Sequence, residues 1–353
     1  MKLYPNISLI FIIWLLAVLT ISYFGFLTLP HSGKFNGDFL KSLANWDGGH
    51  YLGIAQFGVS EKFQYAFFPF YPLIIRILNQ VIQNYQMSAI LISGLSAFLG
   101  IHLLYKLISK DFDKRIAEKV ILTLLFFPTS FYFLTAYSEG LFFFLVVACF
   151  YFLRSHKLFW ATIFASLASA TRLVGLALVL GLLIEIITTS GINRKNWFVL
   201  LSPVGFLIYC GYLYNHTGDP FYFISAENHW QRYITAPVIS FWETIKSLSQ
   251  NGFIEKNFTA LLDLIFAIFG VGFAIRTFRF LPPAYSIYSL ASVIIPLFTP
   301  TLASMPRFLL PVFPLFILVS LTKNKYMNLT FQIFSLMLLA IFSVLFVNGY
   351  WVS

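Results

Sequence analysis

Stretches of apolar residues close to the length that crosses a bilayer recur from one end of this chain to the other. They run over 7–29, 87–109, 120–136, 141–156, 158–170, 173–188, 197–214, 258–276, 284–299, 307–321 and 329–349. A spanning helix needs about 20 predominantly apolar residues, because the hydrocarbon layer is that thick and a helix satisfies its own backbone groups inside it. The pattern predicts an all-α membrane protein, a multi-span helical bundle with about 11 transmembrane segments that forms one polytopic domain over 1–353. Two stretches, 158–170 and 173–188, are short, and a single tilted span across both gives ten crossings instead. The Pro-bearing stretch 66–82 reads as half-inserted or interfacial. The first stretch is too long for a signal-peptide core and no small-residue cleavage site follows it, so it is expected to be a retained signal-anchor helix.

Composition enters here as a test of that reading. Charged residues make up 10% of the chain and hydrophobic residues 59%, against about 25% charged in a soluble domain. Mean hydropathy is +0.82. The net charge of +10 does not point to nucleic acid, because the basic residues are scattered between apolar runs and form no patch. Cys149 and Cys210 both lie inside apolar runs, which leaves no disulfide framework and no cysteine metal site.

The scattered basic residues serve as topology signals. With the N-terminus inside, Lys106, Lys110, Lys114, Arg115, Lys119, Arg154, Lys157, Arg194, Lys195, Arg276, Arg279, Lys323 and Lys325 fall in short inner loops against helix ends. The one-span reading of 158–188 would put the last four outside, so eleven spans fit better. The long intervals 30–86 and 215–257 are then both external, and most acidic residues lie on that side. Long loops in a compact protein usually carry function.

The first external loop reads Asn45-Trp46-Asp47-Gly48-Gly49-His50-Tyr51, followed by Phe67-Phe68-Pro69-Phe70-Tyr71-Pro72. If this segment is helical, Asp47 and His50 share a face with Tyr51 beside them. A carboxylate flanked by aromatic rings at the membrane surface suits work on a sugar, as a base for a hydroxyl and flat surfaces for ring faces. The competing reading is an interfacial loop anchored by Trp46 and Tyr51, with Asp47 capping a short helix. Further along, Tyr137-Ser138-Glu139-Gly140 places an acid at a tight external turn, and Ala170-Thr171-Arg172 places an arginine at the break between two short apolar runs. Arginine at membrane depth is costly and marks a functional site by default. A structural ion pair of Arg172 with Glu139 is the alternative.

These segments, together with Gly218-Asp219-Pro220-Phe221, the His229, Trp230 and Arg232 beyond it, and Pro306-Arg307-Phe308, resemble the PIG-V family in order and on one membrane face. That family comprises the second mannosyltransferases of GPI-anchor synthesis and their prokaryotic relatives. The resemblance covers about 45 to 314, and the compact length is similar to the prokaryotic branch, where GPI would not be the acceptor. One departure is Gly140, where the family pattern has serine. The resemblance implies a GT-C-type glycosyltransferase fold with a catalytic first external loop and a polyprenyl- or dolichyl-phosphate sugar donor. It implies Asp47 as the catalytic base and a site on the side away from the cytoplasm, which in the prokaryotic branch is the outer face of the plasma membrane. The acceptor is a glycan, a lipid or a protein, and mannose as the sugar rests on the resemblance alone.

Transfer from a lipid phosphate releases a charged phosphate monoester, which guanidinium groups hold through paired hydrogen bonds. Arg172, Arg232 and Arg307 are the external candidates. Trp46, His50, Tyr51, Glu139, His229 and Trp230 are candidate substrate contacts, the two histidines for the phosphate or a sugar hydroxyl. Lys62 and Arg76 read as headgroup contacts. The sequence shows no Walker or dinucleotide glycine pattern and no clear metal site, so no cofactor is expected, although a divalent ion beside Asp47 stays open. The rival class is a polytopic transporter or flippase of lipid-linked saccharides, which many spans and a broken helix would equally suit. The absence of an internal repeat, and polar residues gathered on one face instead of the midplane, argue against it.

Overall fold

The computed structural model describes residues 4–32, 37–251 and 255–352, and no strand occurs among them. In chain order the α-helices are α1 (Pro5–Thr28), α2 (Phe39–Ser42), α3 (Asp47–Phe57), α4 (Phe70–Ile82), α5 (Tyr85–Asp111), α6 (Lys114–Leu125) and α7 (Glu139–Leu153). There follow α8 (Leu158–Ser169), α9 (Gly175–Thr189), α10 (Val204–Thr217), α11 (Tyr222–Ala226), α12 (Pro237–Asn251), α13 (Glu255–Phe280), α14 (Pro283–Ile294), α15 (Met305–Leu309), α16 (Phe313–Leu321) and α17 (Lys325–Val347). Among the described residues, five helical stretches are long and apolar enough to cross a membrane: Asn6–Thr28, Tyr85–Asp111, Trp197–Thr217, Asn257–Phe280 and Lys325–Val347. Shorter apolar helices lie between them, among them Glu139–Leu153, Leu158–Ser169, Gly175–Thr189 and Pro283–Phe298. This is an all-α, multi-span membrane protein.

Polar residues punctuate the apolar runs and set the helix ends. The Asn84 side chain accepts from Met87 N at 3.0 Å to start α5, Asp113 from Ile116 N at 2.7 Å to start α6, and Asn324 from Tyr326 N at 3.0 Å to start α17. Each satisfies a backbone donor that the first helical turn would otherwise leave unpaired. Helix α10 stops at Gly218, whose φ of 77° is open to glycine at little cost.

The chain divides into two compact units. The first contains Met1–Gly58, Tyr71–Arg154 and Phe316–Val352. Its centre is α7, apolar on every side and buried along Phe142, Phe143, Val146, Val147 and Phe150, as expected of a helix without a polar face. Helix α5 packs along α7, and α1 along α17. Arg154 at the end of α7 donates to Asp111 at 2.6 Å. The second unit contains Val59–Phe70 and Ser155–Leu315. There α9 packs on α14 and α8, and α13 on α14, α12 and α15. The Oγ atoms of Ser166 and Ser169 accept from Gly205 N at 2.9 Å and Phe206 N at 3.1 Å, so the end of α8 satisfies the start of α10. A Cβ on Gly205 would lie 2.0 Å from Ser166 O, which is why a glycine stands there.

Two expectations change. The stretch 120–136 is not one span: α6 ends at Leu125 and a 3₁₀ turn, Ser130–Leu134, follows. The stretch 307–321 is likewise broken, since Pro311 separates α15 from α16 and its carbonyl accepts the Tyr288 hydroxyl at 3.0 Å. The region 158–188 forms two helices with a turn between them, as the eleven-span reading expects. Periodicity alone cannot separate one apolar helix from two with a turn between them, because the turn residues are apolar too.

Candidate active site

In the first unit, the Trp46–Tyr51 segment is pinned from several directions. Trp46 has φ 56° and ψ −121°, outside the regions that a residue with a side chain prefers. Such a backbone costs on the order of 1–3 kcal/mol and persists only where its surroundings enforce it. Those surroundings are visible on the preceding residue. The buried Asn45 side-chain amide donates to Phe346 O at 2.6 Å, and the Asn45 backbone carbonyl accepts the Tyr137 hydroxyl at 2.9 Å. The Ala136 N–H donates to Leu43 O at 2.9 Å. The strained turn delivers Asp47 as the first residue of α3, where the helix dipole favours a negative charge.

The Glu139 turn closes against this segment. The Tyr51 and Ser138 hydroxyls share a hydrogen bond at 3.0 Å, and the Tyr51 ring meets Tyr71 edge-on at 5.0 Å. Tyr71 in turn donates to Ala89 O at 3.0 Å and bonds Ser93 Oγ at 3.0 Å, while Ser93 Oγ donates to Tyr137 O. A Cβ on Gly48 would sit 3.3 Å from the Tyr137 ring. The two carboxylates therefore come from segments in direct contact: Asp47 is half-buried, with His50 one turn on, and Glu139 is only 1% exposed. The Trp46 ring is exposed and rests edge-on against Trp351 at 5.2 Å.

In the second unit, the three arginines singled out from the sequence converge on one ring. The guanidinium carbons of Arg172, Arg232 and Arg307 lie 5.8, 5.8 and 5.6 Å from the centroid of Phe308. Arg172 sits in the turn between α8 and α9, whose Ala170 carbonyl accepts from Phe70 N at 3.1 Å. Arg232 follows α11 and donates from Nη2 to Ala303 O at 2.8 Å. Arg307, 8% exposed, lies in α15, whose first N–H, that of Met305, donates to the buried Asp263 carboxylate at 3.2 Å. Three guanidiniums over one phenyl ring gain cation–π attraction and form a site that favours an anion with several oxygens.

The aromatic block 63–70 supports that cluster. His229 stacks on Phe63 with ring centroids 4.0 Å apart, and Trp230 meets Phe63 and Phe67 edge-on at 5.4 and 5.8 Å. Phe68 packs on Tyr209 and Phe223, and the Tyr209 hydroxyl donates to Tyr65 O. Burial, helped by Tyr212 and Tyr222, pushes the Tyr65 phenol above its ordinary value and keeps it neutral.

The structure thus assigns Trp46, Asp47, His50, Tyr51 and Glu139 to one unit and Arg172, His229, Trp230, Arg232 and Arg307 to the other. Arg76 also serves the fold: its Nε donates to Ala55 O at 2.7 Å and so holds a carbonyl of the last turns of α3. The sequence reading missed Asn45, Phe308 and Asp263. Phe308 stands only within the Pro306-Arg307-Phe308 motif, and a phenylalanine among 43 carries no mark of its own, whereas Asp263 inside an apolar helix does. Gly140, the departure from the family pattern, also has a local cause: a Cβ there would lie 2.3 Å from Ser93 O.

Comparison with known proteins bears on this arrangement. The family model described as Mannosyltransferase (PIG-V) matches residues 32–191, a stretch that includes Asp47, Glu139 and Arg172. The chain is a membrane glycosyltransferase. The resemblance read from its motifs to the PIG-V family holds over that stretch. No curated protein matches the chain in sequence. Among solved structures, ArnT from Cupriavidus metallidurans, bound to undecaprenyl phosphate, is similar with a TM-score of 0.50 at 15% identity, over 96% of this chain and 76% of that one. The oligosaccharyltransferase of Archaeoglobus fulgidus, in complex with zinc and sulfate, is similar with a TM-score of 0.50 at 16% identity, over 97% of this chain and 53% of the other. The chain therefore spans about half the length of that second protein. At these identities the likeness concerns the fold, which is of the GT-C type.

Proposed function

We propose that this glycosyltransferase moves a mannosyl group from a polyprenyl- or dolichyl-phosphate donor to a hydroxyl of a glycan, lipid or protein acceptor, on the side of the membrane away from the cytoplasm. The observation that carries the donor assignment is the gathering of Arg172, Arg232 and Arg307 around Phe308. The undecaprenyl phosphate bound to ArnT supports it, as does the family match for the mannosyl group. Asp47 is the general base: the acceptor oxygen attacks the anomeric carbon from the face opposite the lipid phosphate, and its proton passes to the Asp47 carboxylate. The bond from the anomeric carbon to the phosphate oxygen breaks with its electron pair on the phosphate, so configuration inverts. The arginines neutralise the charge that grows on the leaving phosphate, and Glu139, His50, Tyr51, Trp46, His229 and Trp230 bind the reactants. The leaving group is a phosphate monoester already served by guanidiniums, so transfer is expected to persist in EDTA.

The test is incubation of the purified protein in lipid nanodiscs with radiolabelled polyprenyl-phosphate mannose and a membrane lipid extract, with the anomeric configuration of the labelled product determined. An inverted mannoside is expected. Absence of transfer from this donor, with transfer from a nucleotide sugar instead, would overturn the donor assignment, and retained configuration would remove Asp47 as base. Orientation is tested separately: cysteines at Lys62 and Gln250 should react with an impermeant thiol reagent in intact cells, and one at Asp113 should not. Reaction at Asp113 alone would reverse the assignment of the active face.

A further inference from the structure

Helix α12 lies within the interval 215–257, which the sequence suggests is an external loop, yet its polarity is the reverse of a water-exposed loop helix. The side turned into the protein carries hydroxyls: Ser240 is fully buried, and Thr244 nearly so, its Oγ1 donating to Ser240 O at 2.8 Å. The exposed side carries Val238, Trp242 and Ile245, which are 70, 65 and 50% exposed. At 3.6 residues per turn those three form one stripe. Glu243, Lys246 and Gln250, also exposed, lie together on the next sector. A helix with one sector toward protein, one apolar and one charged has the form of a helix lying in the membrane interface. Helix α12 packs against the spanning helix α13, which itself exposes Ile265, Ile268 and Ile275.

The stem of α12 is tied to the arginine cluster. Thr235 N donates to Phe298 O at 3.0 Å, and Arg232 donates to Ala303 O at 2.8 Å, just ahead of Arg307 and Phe308. We infer that α12 lies in the bilayer interface with Val238, Trp242 and Ile245 in the acyl boundary, and that it thereby holds the arginine cluster at the depth of lipid phosphates. This rests on the reading of that cluster as the donor-phosphate site, and it adds that the phosphate is taken from a lipid within the membrane. A soluble phosphate ester would gain nothing from α12.

Site-directed spin labelling in nanodiscs tests the placement directly. Cys149 and Cys210 are both buried, so background labelling is small. Labels at 238, 242 and 245 should collide with dissolved oxygen far more than with an aqueous nickel chelate, and labels at 243, 246 and 250 the reverse. Aqueous behaviour at all six positions would overturn the inference. A second measurement uses the triple variant V238S/W242S/I245S. Each lost apolar group weakens interfacial seating, so KM for a long-chain polyprenyl-phosphate donor in nanodiscs should rise roughly tenfold, while KM for a short-chain, water-soluble donor stays unchanged. Equal loss with both donors, or with neither, would remove the depth-setting role. If the spin labels behave as expected but neither donor binds the wild-type protein, α12 stands and the donor assignment of the arginines fails.

Discussion

The carboxylate segment of the first unit and the arginine cluster of the second are built by different means. Around Asp47 the neighbouring groups are joined by direct hydrogen bonds, from Asn45 to Phe346, Tyr137 to Asn45 and between Tyr51 and Ser138. The arginines share one phenyl ring at 5.6 to 5.8 Å, with Arg232 also donating to Ala303 O; a cation–π contact tolerates sliding and rotation of the guanidinium plane. The difference matches what the proposed function asks of each half. A general base must meet one proton in one geometry, and a misplacement of about 1 Å can cost about 10²-fold. A phosphate presents several equivalent oxygens, and a lipid phosphate arrives at varying depth, so an adaptable cluster serves it better than a rigid one.

The sharpest way to break this comparison is at Asp47. Asp47→Asn should lower turnover by about 10²–10⁴-fold, with thermal stability and donor KM close to wild type, measured as initial rates with radiolabelled donor beside a melting curve. An asparagine variant with wild-type turnover and lowered stability would return Asp47 to the role of a helix-starting residue. Arg172→Ala and Arg307→Ala should act on the donor instead. Loss of a charge-assisted hydrogen bond of about 1.5–3 kcal/mol corresponds to a rise in donor KM of about 10- to 100-fold, and lysine should restore only part of it, because a point charge does not reproduce the planar fork. Donor KM unmoved in both alanine variants would dissolve the cluster as a phosphate site.

The rigid half should also be intolerant of added bulk. Gly140→Ser, which restores the family pattern, should lower stability here by about 1–3 kcal/mol, because its Cβ must displace Ser93 O from 2.3 Å. A serine variant as stable as the parent would show that α5 and α7 separate more easily than the packing indicates. The smallest effect is expected on the adaptable side. Phe308→Leu removes a cation–π partner worth about 0.5–2 kcal/mol, so donor KM should rise about 2- to 30-fold with kcat little changed, and Phe308→Tyr should recover it. Failure of tyrosine to rescue, or an equal fall in kcat, would make Phe308 an ordinary packing residue.

Much of the site was legible because its residues are exceptions in their surroundings. A chain with 10% charged residues makes each charge near a helix end conspicuous, and Asp47, Glu139, Arg172 and Arg307 stood out for that reason. Arg76 stood out equally, and its charge also serves the end of α3. Phe308 and Asn45 gave no signal, for the opposite reason: their types are common here, and their importance lies in which partners the fold brings to them.

The sequence by itself determined that this chain folds as a bundle of membrane helices, since a run of apolar residues near bilayer length has one stable way to satisfy its backbone in hydrocarbon. It also determined where polar residues cap those helices and which charges are too costly to be incidental. Tertiary structure alone decided that 120–136 and 307–321 break into turns, that a tryptophan carries the strained backbone before Asp47, and that three arginines far apart in the chain meet over one ring. Periodicity reports the environment of a segment, and each of those outcomes depends on which segments pack together.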